Sequence, residues 1–237
     1  MSDGSDAGGT LETGASAAGA PLDGDTQGGA GVLLHVGYHK TGSTWLQERL
    51  FAEPGVAGFQ AWDSRDLSRA LVRVNPLAWD AATTRSHFRA GLAADRSRGL
   101  VTVLSSERMA GHPFTGGYDT EAIARRLAAV FPGGRVLIVI REQRDMVLSV
   151  YRAYVRDGGT ADLRSFLSPR RGSPYPTFRW NYHAYHRAIA LYQSLFGRAH
   201  VQTMAFEGAS LSEADETANP PREGPGDGFY MFVPIAR

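Results

Sequence analysis

Short apolar runs alternate along the chain with longer segments in which apolar residues recur every three or four positions. The runs are rich in Val, Leu and Ile, a composition typical of strands that are buried on both faces of a parallel sheet. We therefore predict strands at 31–37, 100–106, 135–140 and 200–206.

The segments between these runs have the periodicity of amphipathic helices. Glycine commonly ends a helix, so the helix after the third strand is expected to stop at Gly158 and Gly159, and the last helix at Gly197. The predicted helices are 44–51, 64–74, 86–97, 121–131, 141–157 and 179–197.

Strands that alternate with helices indicate one α/β domain of three layers, α/β/α, around a mostly parallel sheet. Ligands of such sheets bind at the carboxyl ends of the strands. A glycine loop beginning at Gly37, the carboxylate of Glu107 and the guanidinium of Arg141 each follow a predicted strand. We therefore expect a ligand site at this edge of the sheet.

The two ends of the chain differ from its body in composition. Residues 1–30 are rich in Gly, Ala, Ser and Thr, and they include five acidic residues and no basic one. Such a segment buries too little apolar area to offset its chain entropy, so we predict a disordered acidic tail. The domain is expected to span 31–207, followed by a Pro/Gly-rich segment at 208–237.

Composition limits the classes of function. The 237 residues include no cysteine, which excludes disulfides, thiol nucleophiles and cysteine metal sites. The absence of an apolar run long enough to span a bilayer, and of a signal-peptide pattern, predicts a cytoplasmic protein without a membrane span. A net charge of +1 gives no indication of nucleic acid binding, although without residues 1–30 the net charge is +6, which favours an anionic ligand.

The sequence GYHKTGST, residues 37–44, has the glycine spacing of a nucleotide triphosphatase loop but not its lysine. In that loop a lysine follows the second glycine and reaches the outer phosphates, whereas here Ser43 follows Gly42. Lys40, two residues before Gly42, is the one lysine in a chain with 24 arginines.

Two motifs resemble those of sulfotransferases that use 3′-phosphoadenosine 5′-phosphosulfate as donor, most closely the bacterial members of that family. HVGYHKTGSTWLQ resembles the 5′-phosphosulfate loop, in which the lysine lies two residues before the glycine. IREQRDMVLSVYRAYVRDGGT resembles the 3′-phosphate motif, an arginine at a strand end with a serine eight residues later, here Arg141 and Ser149. The resemblance extends from about residue 32 to 207 and implies a fold like that of P-loop nucleotide hydrolases.

The resemblance assigns roles to residues at the three strand ends. It implies that Lys40 stabilises the leaving group and that Glu107 is the base that accepts the proton of the acceptor hydroxyl, with His39 and His112 as weaker candidates. It implies no metal. Trp45 is expected either to stack on the adenine or to pack in the core. The donor-binding residues it implies are Lys40, Thr41, Gly42, Ser43, Thr44, Trp45, Arg141 and Ser149.

The acceptor is expected to be a hydroxylated carbohydrate or small molecule. An aromatic cluster either lines its pocket or belongs to the core: Tyr175, Phe178, Trp180, Tyr182, Tyr185 and His186. The chain departs from the family after Glu207, because Arg222, Glu223 and Gly224 are a poor substitute for the late basic loop that covers the 3′-phosphate in relatives.

Two other functions remain open at this point. A small-molecule kinase with an altered phosphate loop would use Glu107 to help order Mg²⁺, but Ser43 then occupies the lysine position and the pair of Arg141 and Ser149 has no role. A catalytically weakened nucleotide-binding protein would agree with the unusual C-terminal segment.

Overall fold

The structure is a computed structural model that describes residues 31–52, 58–168 and 173–208. Its centre is a sheet of five strands, one more than the sequence predicts. The strands are β1 Val32–Gly37, β2 Phe59–Ala61, β3 Val101–Ser105, β4 Arg135–Ile140 and β5 Val201–Ala205.

All neighbouring strands are parallel, in the order β2-β3-β1-β4-β5. The chain leaves the central strand β1 for the β2 edge, returns through β3 and then crosses to β4 on the other side of β1. This reversal creates a crevice at the carboxyl ends of β3, β1 and β4, which is where open α/β sheets bind ligands. The predicted mostly parallel α/β sheet is confirmed.

Seven α-helical segments connect and cover the strands within the described residues. Two short ones, α1 and α2, continue as π-helical turns at Leu46–Leu50 and Ser68–Val72. The helices are α1 Ser43–Trp45, α2 Ser64–Leu67, α3 Ala81–Ser97, α4 Thr120–Val130, α5 Gln143–Arg156, α6 Leu163–Leu167 and α7 Tyr185–Phe196.

Apolar side chains of β1 point to both faces of the sheet, as expected for a strand whose sequence is a continuous apolar run. Val32, Leu34 and Val36 belong to a large core that includes side chains from α3, α4, α5 and α7. On the opposite face Val103 and Val139 pack with Leu46, Phe51 and neighbouring residues in a smaller core. The sheet is therefore covered on both faces, as a buried parallel sheet must be.

The prediction of one helix over 179–197 is wrong in its first part. Trp180–His183 form a 3₁₀ turn, and the α-helix begins only at Tyr185 because Ala184, with ψ of 71°, leaves the helical conformation. The helix does end at Gly197, whose φ of 86° favours glycine. The short elements β2 and α6 are absent from the sequence prediction.

The predicted acidic tail at 1–30 and nearly all of the predicted C-terminal segment, including Arg222, Glu223 and Gly224, lie outside the described residues. Across the described part of the chain, no helix has the length and apolar character needed to cross a bilayer.

Candidate active site

A cavity of about 730 Å³ opens at the carboxyl ends of β1, β3 and β4. Its volume lies within the range of small-molecule sites. Residues from all three strand ends contribute to its wall, together with the second half of α5. The lining includes Lys40, Gly42, Ser43, Thr44, Glu107 and Arg141, so the structure brings together most of the site residues that the sequence indicates.

The loop after β1 has an unusual backbone at Lys40. Among the described residues, Lys40 alone of the non-glycine residues has a positive φ, 63°, and Gly42 follows with φ of 74°. Left-handed residues in a turn are typical of loops that point successive N–H groups into one concavity, where an anion can bind. A left-handed conformation costs a non-glycine residue about 1 kcal/mol or more, and such strain is concentrated at functional sites.

Hydrogen bonds within the loop hold this shape. The hydroxyl of Thr41 donates to the carbonyl oxygen of Tyr38 at 2.6 Å, and that of Ser43 donates to the same oxygen at 3.3 Å. Both side chains are buried, whereas Thr44 is exposed at the start of α1. The first N–H groups of a helix have no partner within it, so the beginning of α1 adds donors beside the cavity.

Gly37 allows β1 and the turn after β3 to approach each other closely. A Cβ atom at residue 37 would lie 2.7 Å from Cα of Glu107, and the φ of Gly37 is 101°. Both the space and the conformation therefore require glycine at this position. The contact fixes the backbone of Glu107, which begins a 3₁₀ turn, next to the Lys40 loop.

Arg141 connects the loop to the ends of β4 and β5. Its Nη1 donates to the carbonyl oxygen of Lys40 at 3.3 Å, and its guanidinium lies 5.1 Å above the ring of Phe206. Its Nε is 3.9 Å from the carboxylate of Glu207 and has no hydrogen-bond partner among the described residues. Its Nη2 lies 3.5 Å from the carboxylate of Asp145, so Arg141 is held at the cavity between the loop and two carboxylates.

The turn after β3 places a second guanidinium in the lining. Nη2 of Arg108 is 2.8 Å from the carboxylate of Asp119, which also accepts the backbone N–H of His112 at 2.9 Å. The Nη1 of Arg108 is enclosed and has no hydrogen-bond partner within the described part of the chain.

The two histidines of the site are held in the neutral form. Burial lowers the pKa of His39 to about 3, with smaller contributions from the charges of Arg108 and Lys40. Burial and the charge of Arg108 also lower the pKa of His112. A low pKa makes a side chain a weak base, which disfavours His39 in particular as proton acceptor.

Ser149 and Trp45 do not line the cavity. Ser149 is half-buried, and helical spacing puts it on the same side of α5 as Ala153 and Arg156, which do line it. Trp45 is half-buried and packs against the smaller core.

The aromatic cluster that the sequence indicates is divided by the structure. Phe178, Tyr182 and Tyr185 are buried in the large core, whereas Tyr175 and Trp180 are exposed. None of the six residues of the predicted cluster lines the cavity. Trp180 instead contributes to a separate cavity of about 580 Å³ beside the start of α5.

Sequence reasoning missed several lining residues. Arg73 and Arg156 are exposed arginines in a chain that has many, so no sequence signal distinguishes them. Arg108 could have been found, because it directly follows Glu107 at the end of β3. In the described residues, no group of three or more His, Asp or Glu is arranged to hold a metal ion.

The fold is similar to that of a sulfotransferase. The structure is similar to the crystal structure of a sulfotransferase from Alicyclobacillus acidocaldarius, with a TM-score of 0.51 and 17% sequence identity over 79% of this chain and 75% of that chain. Comparison of the sequence with protein-family models and with curated proteins gives no match.

Proposed function

We propose that the protein is a sulfotransferase that moves a sulfonate group from 3′-phosphoadenosine 5′-phosphosulfate to a hydroxyl of a carbohydrate or small molecule. The observation that carries this proposal is the shared cavity of Lys40, Glu107 and Arg141, on a sulfotransferase-like fold. These three residues follow three adjacent strands. The lysine supplies a cation, the carboxylate supplies a base, and the arginine supplies a guanidinium that can bind an anion.

The order of the strands divides the cavity into two sides. The Lys40 loop follows β1 and Arg141 follows β4, so a donor with two separate anionic groups fits between these neighbouring strands. Glu107 follows β3 on the other side of β1, which leaves that side for the acceptor. Ser149 would assist Arg141 at the 3′-phosphate, because its helical face turns toward the cavity.

The donor supplies an activated sulfonate. In the transfer step the acceptor oxygen forms a bond to sulfur while the bond between sulfur and the bridging oxygen breaks, which releases adenosine 3′,5′-bisphosphate. Glu107 takes the proton of the acceptor hydroxyl. Lys40 neutralises the negative charge that develops on the bridging oxygen, and a cation placed there lowers the barrier. The positions of both side chains in the cavity support these roles.

Calorimetric titration tests the proposal against a kinase. Adenosine 3′,5′-bisphosphate should bind without added metal, whereas ATP with Mg²⁺ should bind much more weakly, because the loop has Ser43 where a kinase has its phosphate-reaching lysine. Tighter binding of ATP with Mg²⁺ would contradict the proposed function, and so would the absence of bisphosphate binding.

A further inference from the structure

The acceptor side of the cavity has cationic groups that the proposed donor does not use. Lys40 and Arg141 are assigned to the donor between β1 and β4. Arg108, after β3, and Arg73, after α2, line the same cavity on the side of Glu107. Both lie close enough to His112 for their charges to lower its pKa. These two guanidinium groups therefore flank the space that the acceptor would occupy.

Basic side chains outnumber acidic ones in the cavity lining on this side. Glu107 is the one carboxylate near β3 in the cavity lining, against Arg73 and Arg108. The pair of Arg156 and Asp157, at the end of α5, contributes one charge of each sign, with 3.2 Å between Nε and Oδ1. The side chain of Arg73 makes no ion pair with any described residue. The charge of Arg73 thus remains unpaired among the described residues on the acceptor side, whereas that of Arg108 is already in an ion pair.

Arg108 is positioned for recognition of an anion. The ion pair with Asp119 uses Nη2 and fixes the direction of the guanidinium, while Nη1 lacks an acceptor. The side chain is 23% exposed, so part of it faces the cavity while Nη1 itself is enclosed. A ligand oxygen can contact the exposed part of this guanidinium, whose planar arrangement of donors suits carboxylate and phosphate groups.

We propose that the acceptor is a hydroxylated anion, whose carboxylate or phosphate group binds to Arg108 and Arg73 while its hydroxyl faces Glu107. This inference rests on the proposed function, because Glu107 defines the acceptor side. The anionic group does not react. It holds the molecule in one orientation. In that orientation the hydroxyl lies beside the carboxylate of Glu107, and the hydroxyl oxygen, not an oxygen of the anionic group, approaches sulfur.

The test measures binding of matched compounds to protein saturated with adenosine 3′,5′-bisphosphate, which occupies the donor's anion sites. Glucose is compared with glucuronic acid and glucose 6-phosphate, and phenol with 4-hydroxybenzoate and 4-hydroxyphenyl phosphate. In at least one series an anionic member should bind about tenfold more tightly than its neutral parent. Whether the carboxylate or the phosphate compound of a series binds more tightly shows which anionic group the site prefers.

Arg108→Gln should reduce this preference to near one. Arg73→Gln should reduce it in part, and because Arg73 is exposed and unpaired among the described residues this variant is expected to fold. Arg152→Gln is the matched control, since it removes the same charge from an exposed position of α5 outside the cavity lining. Bisphosphate binding should persist in all three variants.

Two results would overturn the inference while bisphosphate binding is retained. One is that no anionic compound binds more tightly than its neutral parent in either series. The other is a preference that survives in both Arg108→Gln and Arg73→Gln. Loss of bisphosphate binding by the wild-type protein would instead refute the proposed function itself, so the two failures are distinguishable.

Discussion

Lys40 combines an unusual position in the sequence of a phosphate loop with a backbone conformation that is rare for a non-glycine residue. It is the one lysine of the chain, it precedes Gly42 by two positions, and its backbone is left-handed. Arginine would not be equivalent here, because an ammonium is a compact point charge and a guanidinium is a planar fork. The strain at this residue is understandable if its side chain must reach one particular oxygen.

Replacing Lys40 by Ala should lower the turnover number by about 10²-fold or more, with a much smaller loss of donor affinity. The reason is that charge on the bridging oxygen grows mainly in the transition state. The rate is measured by transfer of a labelled sulfonate to an acceptor found by screening, and donor affinity by titration. Lys40→Arg should not restore the rate. If donor affinity falls while the rate from the bound donor is unchanged, Lys40 only anchors phosphate.

Replacing Glu107 by Gln should have a different effect. The side chain keeps its size but cannot accept the proton of the hydroxyl, so we expect donor binding to be retained and the rate to fall by about 10²-fold or more. His112→Gln is the control, because it removes the other candidate base that follows β3 in the cavity lining. The same labelled-transfer assay measures both variants. A rate that depends on His112 and not on Glu107 would identify the histidine as base.

At the scale of elements, the site depends on contact between the end of β1 and the turn after β3. A side chain at residue 37 would clash with the backbone of Glu107, and the φ of this residue is also unfavourable for a residue with a Cβ atom. Gly99 provides a comparison, since its φ is 72° but a Cβ placed there would meet nothing within 4 Å beyond its own residue and its two chain neighbours. Substitutions of these two glycines therefore separate the effect of steric crowding on stability from the effect of an unfavourable backbone conformation.

Gly37→Ala should therefore destabilise the fold by about 2 kcal/mol or more, and Gly99→Ala by about 1 kcal/mol. Urea unfolding of the two variants and the wild-type protein gives both values. Gly37→Ala should also reduce activity, because Glu107 must move away from the Lys40 loop. Equal destabilisation by the two substitutions would show that the close contact is not maintained in solution.

The sequence predicts an element well when the element is long enough to show a pattern and when a residue such as proline or glycine marks its ends. The four strands with apolar runs were predicted within about one residue, since Val, Leu and Ile runs are distinctive. Phe59–Ala61 has only three residues, too few to show a period, and its strand conformation comes from pairing with β3. The break at Ala184 was missed because aromatic residues continue at helical spacing across it, without a proline or glycine.

The sequence indicates those lining residues of the candidate site that directly follow a strand. It does not indicate the lining residues that only the tertiary fold brings to the cavity. The Lys40 loop, Glu107 and Arg141 each follow a strand, so their meeting follows from parallel topology. Arg73 reaches the cavity from a separate segment after α2, and no local pattern indicates that approach.

For the whole molecule, buried histidines should make stability depend on pH. His35 is fully buried in β1, bonded to Ser105 at 2.7 Å, and burial lowers its pKa from 6.5 to about 4. The unfolded chain binds a proton below pH 6.5 and the folded chain does not. The stabilising contribution is therefore complete above that pH and is lost as the pH falls toward about 4. His39 and His183, with pKa values lowered to about 3 and about 4, act in the same direction.

Between about pH 7.5 and about pH 5, His35 alone should account for a loss of about 2 kcal/mol in the free energy of unfolding. His35→Gln is expected to be less stable near neutral pH, because packing against Phe51 is lost, but its pH dependence should be shallower. Urea unfolding at both pH values measures this difference. His200→Gln, at an exposed position, should keep the wild-type pH dependence. A pH dependence in His35→Gln as steep as in the wild type would contradict the assignment.

The most direct test of the central claim is the ratio of the dissociation constants of AMP and adenosine 3′,5′-bisphosphate, which differ only in the 3′-phosphate. We expect the wild-type protein to bind the bisphosphate at least about tenfold more tightly, without metal, because the proposed function places the additional phosphate at Arg141. Arg141→Ala should bring the ratio close to one, and Arg152→Ala, which changes an exposed arginine outside the cavity, should leave it unchanged. Equal binding of AMP and the bisphosphate by the wild-type protein would contradict the account, as would a ratio that Arg141→Ala leaves intact.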